Sequence, residues 1–363
     1  MATKRKRGSP STEEYEFDFV GEDDSRFFTE RFGRRMNAMN NRYSLPTDED
    51  EVKRSEFHHR VLNWVLGGRN YAGPVKELLD NSQRIKPNRI LDMGTGGGIW
   101  AIDIADEFSE VEVIGVDLAP IQSRFEICDL DQRKLPYESE HFDVVHARSM
   151  HHGIKNYPQF LQEITRILVR PSRYHLLSTS ITPRTQRPGG ILLITEPETD
   201  PLLNGRLSSQ LSDSDFEINA RGWHELWKTY RRCLHAKGID LSVPRRLRNL
   251  LKDTRAFRKV TTQLTDVPVG FWPEGKYDTQ LSIGQLSWME HDLLLPAMEP
   301  LLMDMSRKTK DEVKLLIQKA QHDLYYPKDR LSRRIHVVHA IKKIGEPQAI
   351  RMRGKIIKFN TPR

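Results

Sequence analysis

The sequence predicts an α/β protein in which a parallel sheet carries helices on both faces. Short apolar runs alternate with helical pieces from residue 88 to residue 195, a spacing typical of parallel strands joined by crossover helices. One run leads directly into glycines at 94, 96 and 98, and such a turn brings bare backbone to a helix N-terminus. A mean hydropathy of −0.62 is low for a folded protein of this size, so solvated tails are expected.

The elements of the alternating segment are assigned in order. Apolar runs predict strands at Arg89–Met93, Val111–Val116, Phe125–Cys128, Phe142–Ala147 and Ile191–Thr195. Helical periodicity predicts helices over Ile99–Phe108 and Tyr157–Leu168. Before this segment, Thr47 with Asp50 predicts a capped helix start, and beyond it Thr309 with Glu312 predicts another. Ile335–Ile341 alternates in the manner of a terminal strand.

The positive charge lies at the two ends of the chain. Lysines and arginines at 4–7 and between 342 and 363 account for more than the whole formal charge of +7, so the body is mildly acidic. A primary nucleic-acid role is therefore not predicted, and Lys4–Arg7 is interpreted as a nuclear import signal or as a solvated tail. No apolar run is long enough for a membrane span, and Cys128 and Cys233 fit a reducing compartment. We expect a soluble protein of the cytoplasm, with the nucleus as the alternative.

The glycine segment carries the chemistry. Asp92 lies in the strand before the glycines, and Asp117 ends the next strand, where an acid can bind both hydroxyls of an adenosine ribose. Asp129 follows the third strand, where it could accept a hydrogen bond from an adenine amino group. The three carboxylates share the carboxyl edge of the predicted sheet, which is where open α/β sheets bind ligands.

Two ligands fit a glycine turn with a ribose-binding acid: a nicotinamide dinucleotide and S-adenosylmethionine. The first would make the protein an NAD-dependent oxidoreductase. Asp92 favours the second, because a carboxylate beside the turn attracts a cationic amino-acid moiety and repels a pyrophosphate. A dinucleotide site does not require Asp129 either. The sequence therefore favours a methyl donor and keeps the dinucleotide as the alternative.

These motifs resemble those of the class I S-adenosylmethionine-dependent methyltransferases. The resemblance rests on the D-x-G-x-G-x-G run from Asp92, on His141–Val145 and on Arg187–Gly190. More narrowly, Arg42–Asp48 and Ile99–Asp103 resemble the fungal LaeA-like group. The resemblance covers about residues 30–343. It implies a Rossmann-like class I fold with a mostly parallel seven-stranded sheet, an N-terminal helical lid and a helical insertion before the last strands.

The resemblance also implies a division of the chain. Residues 1–26 are predicted to be a disordered tail, 27–343 the methyltransferase domain and 344–363 a basic tail. Within the domain, 27–84 is expected to form the helical lid, 85–197 the cofactor-binding core, and 198–343 the substrate-side helices and terminal strands.

By position, the resemblance implies S-adenosyl-L-methionine as the cofactor and no metal. Its methionine part would lie against Asp92, Gly94, Thr95, Gly96 and Gly98, its ribose against Asp117 and Leu118, and its adenine against Asp129. Arg148, at the end of the fourth strand, would lie near the donor carboxylate or line the substrate mouth. Tyr43 and His58 of the lid are candidates for contacting the site, with packing or a surface position as the alternative.

The predicted reaction is methylation of an oxygen, nitrogen or carbon of a small molecule, a fungal secondary metabolite. The alternative is a methyltransferase-fold regulatory protein of secondary metabolism with protein partners in a nuclear complex. No nucleic-acid or membrane partner is predicted, and the expected state is a monomer or homodimer.

A general base is needed only where the acceptor must lose a proton. His151 and His152 follow the fourth strand, and His151 is preferred because relatives that resemble this chain have a small polar residue at the second position. Histidines that only line the pocket are the alternative. Five apolar side chains could wall an acceptor pocket or belong to the core: Trp223, Trp227, Phe271, Trp272 and Met289.

Two segments depart from the family pattern. Val169–Gln186 precedes Arg187 without helical periodicity, and we hypothesise that it is translated intron sequence, with a surface loop as the alternative. Ile121–Phe125 is short for a connection between the second and third strands, which would displace Asp129 from adenine.

Overall fold

The computed structural model describes residues 24–80, 87–121, 125–171, 189–211, 219–273 and 279–343, and most of its strands join one large sheet. The strands are β1 Phe28–Arg31, β2 Arg34–Asn37, β3 Asn88–Met93, β4 Val111–Asp117, β5 Glu126–Ile127, β6 Val144–Arg148, β7 Ile191–Pro197, β8 Leu202–Leu203, β9 Arg206–Leu207, β10 Phe257–Val269 and β11 Leu331–Lys342. The helices are α1 Glu49–Val65, α2 Val75–Leu79, α3 Ile99–Glu107, α4 Tyr157–Ile167, α5 Arg221–Ala236, α6 Val243–Asp253, α7 Thr279–Ala297, α8 Glu299–Met305 and α9 Lys310–Tyr325. Short 3₁₀ turns lie at Ser25–Phe27 and Ser208–Gln210.

The large sheet has the order β5-β4-β3-β6-β7-β11, with β10 paired along the other edge of β11 and the short β8-β9 hairpin joined to its first residues. The five strands from β5 to β7 are parallel, while β11 runs antiparallel to both β7 and β10. The predicted α/β class with a mostly parallel, Rossmann-like sheet is thereby confirmed. The β8-β9 hairpin is an addition to the seven expected strands.

Hydrophobic packing on the two faces of the sheet explains why the alternating segment folds as predicted. On one face α4 and α6 cover a cluster that includes Leu91, Phe142 and Ile164, all fully buried. On the other face α2 and α3 cover a cluster around Ile90 and Ile104. Successive strand residues therefore serve opposite faces, which is why buried parallel strands read as continuous apolar runs.

Several predicted elements differ from the structure. The N-terminal region expected to be helical begins with the β1-β2 hairpin before α1 starts. The cap of α1 is Asp48, whose side chain accepts from the Glu51 amide, rather than Thr47. The capping box of Thr309 and Glu312 at α9 is confirmed.

Strand β10 carries no apolar run and was not predicted. All of its residues from Phe257 to Asp266 are exposed or partly exposed, so the pattern of a buried strand is missing there. It forms because β11 offers it a partner along most of its length, a pairing between distant parts of the chain. The third predicted strand, Phe125–Cys128, is reduced to the two residues of β5.

The departure at Val169–Gln186 lies largely outside the described residues. Its two flanks are described and lie side by side, because the Gly190 amide donates to the Val169 carbonyl at 3.0 Å. Val169 in turn donates to the carbonyl of Phe142 at 2.9 Å. The described residues on either side of 172–188 therefore lie next to each other.

Within the described residues no helix is long and apolar enough to cross a bilayer. No group of three or more histidine, cysteine or acidic side chains in the same residues is placed to hold a metal ion.

Candidate functional site

A cleft lies at the carboxyl ends of β3, β4 and β6 and encloses about 1000 Å³ of space, open solvent at its mouth included. Three parts of the chain line it: the glycine turn after β3, the ends of β4 and β6, and the N-terminal segment up to α1. The lining includes Asn40, Tyr43, Arg54, His58, Gly94, Thr95, Gly96, Gly97, Asp117, Leu118, Asp129, Arg148, Ser149 and Met150. This first cavity therefore contains most of the predicted cofactor residues.

The glycine turn presents bare backbone to the first cavity. Gly94, Gly96 and Gly98 all have positive φ, of 70°, 55° and 80°. A Cβ built on Gly96 would meet nothing within 4 Å, whereas one on Gly94 would lie 2.4 Å from the Met150 sulfur. The turn is thus open at Gly96 and filled at Gly94, so the wall at 96 is where a ligand can approach the main chain.

Asp117 closes the turn from the end of β4. Its Oδ2 accepts from the Gly96 amide at 2.8 Å and its Oδ1 accepts from the Leu118 amide at 2.7 Å. Burial raises the pKa of this carboxyl, against the effect of the backbone N–H groups. The carboxylate has further lone pairs and lies on the cavity wall, which fits a role in binding hydroxyl groups.

Asp92 lies behind the wall and not among the residues that line it. The side chain is 2% exposed, its Oδ2 accepts from the Thr95 hydroxyl at 2.7 Å, and its Oδ1 is 2.7 Å from the His146 ring nitrogen Nδ1. Trp100 of α3 stacks on the His146 ring with centroids 3.7 Å apart. Asp92 is therefore placed to hold the shape of the turn through Thr95.

Asp129 lies on the far wall, and Asn40 holds it there. The Asn40 side-chain amide donates to Asp129 Oδ1 at 3.0 Å. Gly98 is not in the lining, because the Phe125 ring covers it: a Cβ built on Gly98 would lie 2.1 Å from that ring. Phe125 thus packs on the glycine turn, while Asp129 reaches the cavity.

Arg148, Tyr43 and His58 all reach the first cavity. Arg148 ends β6, with its Nη1 3.2 Å from His59 Nδ1, and burial lowers its pKa. Burial raises the pKa of Tyr43 and lowers that of His58 to about 3, so both side chains are uncharged at neutral pH. The lid candidates are therefore brought to the site rather than to the surface.

A second cavity adjoins the first and shares with it the side chains of Tyr43, Arg54, His58 and Ser149. It encloses about 570 Å³, again counting open solvent. Its remaining lining comes from the N-terminal segment, the turn after β6, the end of β7 with the residues after it, α5, α7 with the residue after it, and β11. These residues are Leu45, His151, His152, Pro197, Glu198, Thr199, Trp227, Tyr230, Glu290, Leu294, Met298 and Arg333.

His151 lies on the wall of the second cavity, fixed by Glu196. Its Nδ1 is 2.6 Å from Glu196 Oε2, and the other carboxylate oxygen accepts from the Met150 and His151 amides and the Tyr157 hydroxyl. A carboxylate accepts only, so Nδ1 donates to it, and in the neutral form of the ring Nε2 then carries the lone pair. Nε2 is buried with no hydrogen-bond partner among the described residues. A neutral imidazole oriented in this way can accept a proton from a bound molecule.

A buried ion cluster also lines the second cavity. Glu290 is fully buried and accepts from both terminal nitrogens of Arg333 at 2.7 Å, while Arg54 Nη1 donates to it at 3.2 Å. Its Oε1 lies 3.1 Å from His58 Nδ1. Although burial alone would raise the pKa of Glu290, the Arg333 charge and the His58 contact hold it well below its usual range.

Of the five apolar side chains predicted to wall an acceptor pocket or to belong to the core, one lines the second cavity. Trp227 lines the second cavity, and Trp223 packs behind it with ring centroids 5.8 Å apart. Phe271 and Met289 are exposed elsewhere, so their prediction as cavity residues is wrong. Trp272 is not in the lining either, and its indole donates to the Leu331 carbonyl.

Sequence reasoning missed Glu196, Asn40 and the Glu290 cluster. An acid at the end of a predicted strand was the available signal for Glu196. Asn40 had no signal, because it reaches Asp129 over 89 positions of sequence. Glu290 lies inside a helix, where nothing local marks a buried acid.

Comparison with known proteins identifies the family. A family model described as methyltransferase domain matches residues 58–255, more than half of the chain. A secondary metabolism regulator laeA of Coprinopsis cinerea is 29% identical over 209 residues, 55% of this chain and 46% of that protein. A methyltransferase pytC of Aspergillus terreus is 25% identical over 253 residues, 67% of this chain and 66% of that protein. The chain thus spans about half to two thirds of the length of these curated relatives.

Among solved structures, phosphoethanolamine N-methyltransferase 2 of Haemonchus contortus, in complex with phosphomonomethylethanolamine and S-adenosylhomocysteine, is 18% identical. The match has a TM-score of 0.40 and covers 81% of this chain and 59% of that one.

The family match agrees with the sheet order and with the glycine turn that the first cavity exposes at Gly96. S-adenosylmethionine, predicted from that turn, is the cofactor of this family, and the bare backbone beside Asp117 fits it. The match also disfavours the dinucleotide alternative. We therefore conclude that the chain belongs to the methyltransferase domain family, with LaeA-like regulators among its curated relatives.

Proposed function

We propose that this chain transfers a methyl group from S-adenosylmethionine in the first cavity to a small molecule in the second. The observation that carries the proposal is the wall that the two cavities share, which is made by Tyr43, Arg54, His58 and Ser149. Adjoining sites hold donor and acceptor together, and proximity of that kind supplies much of the rate in methyl transfer.

The residues of the first cavity divide the cofactor between them. Asp117 would accept from the ribose hydroxyls, Asp129 with Asn40 would face the adenine, and Arg148 would pair with the donor carboxylate. Asp92 would act through Thr95, by holding the turn. The cofactor itself supplies a methyl group activated by a sulfonium, so the protein needs to bind, orient and exclude water.

His151 would act as the base where the acceptor must lose a proton. Glu196 fixes the tautomer that leaves Nε2 free, and it would stabilise the imidazolium formed. The ring centroid of His152 lies 4.2 Å from that of His151, and burial lowers the pKa of His152 well below its ordinary value. His151 is therefore the stronger candidate of the two.

Calorimetric titration with S-adenosylhomocysteine tests the cofactor site. The protein is expected to bind one equivalent, and Asp117→Asn is expected to weaken binding at least about a hundredfold, because the negative charge is lost and one acceptor oxygen becomes an N–H donor. Asp106→Asn, an exposed acid on α3, is the matched control and should leave affinity unchanged. Equal affinity in Asp117→Asn and wild type would contradict the assignment.

A second candidate function is regulation of secondary metabolism, favoured by the names of the laeA relatives. In that case the fold would act through protein partners, and catalysis would be dispensable. Replacement of the gene by Asp117→Asn in the source organism distinguishes the two. A metabolite profile equal to that of the deletion strain supports the enzyme, whereas a wild-type profile together with co-purified partners supports the regulator.

A further inference from the structure

The charged groups around the second cavity neutralise one another. Glu290 is shared by Arg333 and Arg54, and Arg54 also pairs with both carboxylate oxygens of Glu51. Glu198 accepts from the Arg245 guanidinium at 2.7 Å, and its other oxygen lies 2.7 Å from the His336 ring. Among the described lining residues no charge is left without an opposite partner. A carboxylate, phosphate or ammonium group on the acceptor would therefore have no counter-charge there.

The buried polar atoms that lack partners are chiefly neutral. In the described lining they are Nε2 of His151 and His152, the Trp227 indole N–H, the Thr199 hydroxyl, and Nε of Arg333, whose terminal nitrogens already serve Glu290. Buried polar atoms in proteins nearly always have a partner, so a set gathered on one cavity points to groups on a bound molecule. These atoms are suited to hydroxyl and carbonyl oxygens.

The cavity wall is also aromatic. Neighbouring rings form a chain. The ring centroids are 4.2 Å apart for His151 and His152, 6.4 Å for His152 and Tyr230, and 5.9 Å for Tyr230 and Trp227. The rings meet at steep angles of 61°, 66° and 88°. They form a continuous row along the cavity, which offers faces and edges to a flat ring.

We infer that the acceptor is an uncharged aromatic molecule with a ring hydroxyl, and that the hydroxyl oxygen is the atom methylated. This inference rests on the proposed function. A phenol is a stronger acid than an aliphatic alcohol, with a pKa of about 10, and a neutral imidazole can take its proton as the bond to carbon forms. A neutral amine would need no base before transfer, and a cationic one would need a free carboxylate.

The step balances with the groups at hand. The hydroxyl proton passes to His151 Nε2, the oxygen electron pair forms the new bond to the methyl carbon, and the carbon–sulfur bond breaks with its pair going to sulfur. The products are an aryl methyl ether, S-adenosylhomocysteine and a proton that the imidazole returns to water. Nothing is oxidised or reduced.

Three naphthalenes that differ only in their polar group test the inference: 2-naphthol, 2-naphthylamine and 2-naphthoate. Each is measured by equilibrium dialysis against the full chain saturated with S-adenosylhomocysteine. We expect 2-naphthol to bind at least about tenfold more tightly than 2-naphthoate, and the protein with S-adenosylmethionine to convert 2-naphthol to 2-methoxynaphthalene. Trp227→Phe, which keeps a ring and loses the N–H, should weaken 2-naphthol about two- to tenfold.

Trp64→Phe is the matched control, because Trp64 is exposed on α1 outside both cavities. It should leave 2-naphthol affinity unchanged. Tighter binding of 2-naphthoate, preferential methylation of 2-naphthylamine, or no saturable binding of any of the three would overturn the inference. Failure of S-adenosylhomocysteine itself to bind would overturn the proposed function and this inference with it.

Discussion

The two cavities are neighbours with a common wall, yet they are built in different ways. The first takes most of its lining from the stretch between residues 94 and 154, and its central feature is a main-chain turn closed by Asp117. The second is assembled from side chains as far apart as Tyr43 and Arg333. The first depends on backbone conformation over a short distance in sequence, and the second depends on pairing between distant elements.

The two cavities also differ in how their charged side chains are paired. In the first cavity the Asp117 carboxylate accepts from backbone amides and keeps lone pairs on the wall. In the second cavity, the Glu290 carboxylate accepts hydrogen bonds from Arg333 and Arg54 and also contacts His58. The first cavity therefore presents the Asp117 carboxylate to a ligand, whereas in the second cavity the Glu290 carboxylate is already paired with other side chains. This difference fits a charged cofactor in the first site and a neutral acceptor in the second.

Removing the carboxylate charge from the second cavity should have the largest effect on stability. Glu290→Gln leaves Arg333 buried without its counter-charge, and breaking a buried pair in this way costs about 3–5 kcal/mol. The free energy of unfolding in urea measures the loss. The same change is expected to spare S-adenosylhomocysteine affinity at temperatures where the variant is folded.

The next arginine along β11 provides the control. Arg334 pairs with Asp266 at 2.7 Å, but that aspartate is 44% exposed. Asp266→Asn should cost no more than about 1 kcal/mol, because solvent screens the pair. Similar losses for Asp266→Asn and Glu290→Gln would show that burial of the Glu290 cluster is not what stabilises this region.

The contrast between the cavities also explains what the sequence could predict. The glycine spacing around Gly96 and the acid at Asp117 are local signals, and the structure brings both to one cavity. The parallel strands could be predicted for the same reason, since β3 and β4 each contain several apolar residues close together in sequence. The Glu290 cluster and β10 could not be predicted from the sequence. Each depends on a partner on β11, and no local pattern indicates that pairing. Phe271 and Met289 illustrate a different error: they were expected to be buried because they are apolar, but both are exposed.

Within the glycine turn, substitutions at two glycines distinguish the cost of conformational strain from the cost of packing. Gly98→Ala places a Cβ against the Phe125 ring at a φ of 80°, and the two costs together should amount to about 2–4 kcal/mol of unfolding free energy. Gly96→Ala meets nothing within 4 Å and should cost only the left-handed strain, about 1–2 kcal/mol.

Ligand affinity gives the opposite ranking for these variants. The Cβ at 96 faces the open cavity, so Gly96→Ala should weaken S-adenosylhomocysteine more than Gly98→Ala does. Urea titration and calorimetry on both variants provide the check. If Gly98→Ala proved the weaker binder and the more stable fold, Phe125 would not pack on the turn as described.

Acid should destabilise the protein through the buried histidines around the second cavity. Burial and the Arg333 charge lower the pKa of His291 to about 4, from 6.5. Its folded pKa is depressed, so its contribution is complete above 6.5 and is lost as the pH falls towards 4. His291→Gln should therefore flatten the dependence of unfolding free energy on pH in that range by about 1.4 kcal/mol per pH unit. Parallel curves for variant and wild type from urea titrations would contradict this.

The smallest effect is expected from deletion of the segment that follows Pro171. The flanks are already joined by the hydrogen bond from Gly190 to Val169, and a Cβ on Gly189 would lie 2.9 Å from the Pro171 ring. Deletion of 172–186 leaves two residues between Pro171 and Gly189, the length of a tight turn. Loop length changes closure entropy only slowly, so the unfolding free energy should shift by less than about 1 kcal/mol. The deletion should also keep wild-type affinity for S-adenosylhomocysteine, as expected of a segment inserted into a complete domain. A loss of several kcal/mol on deletion would instead make 172–186 part of the fold and contradict its interpretation as translated intron sequence.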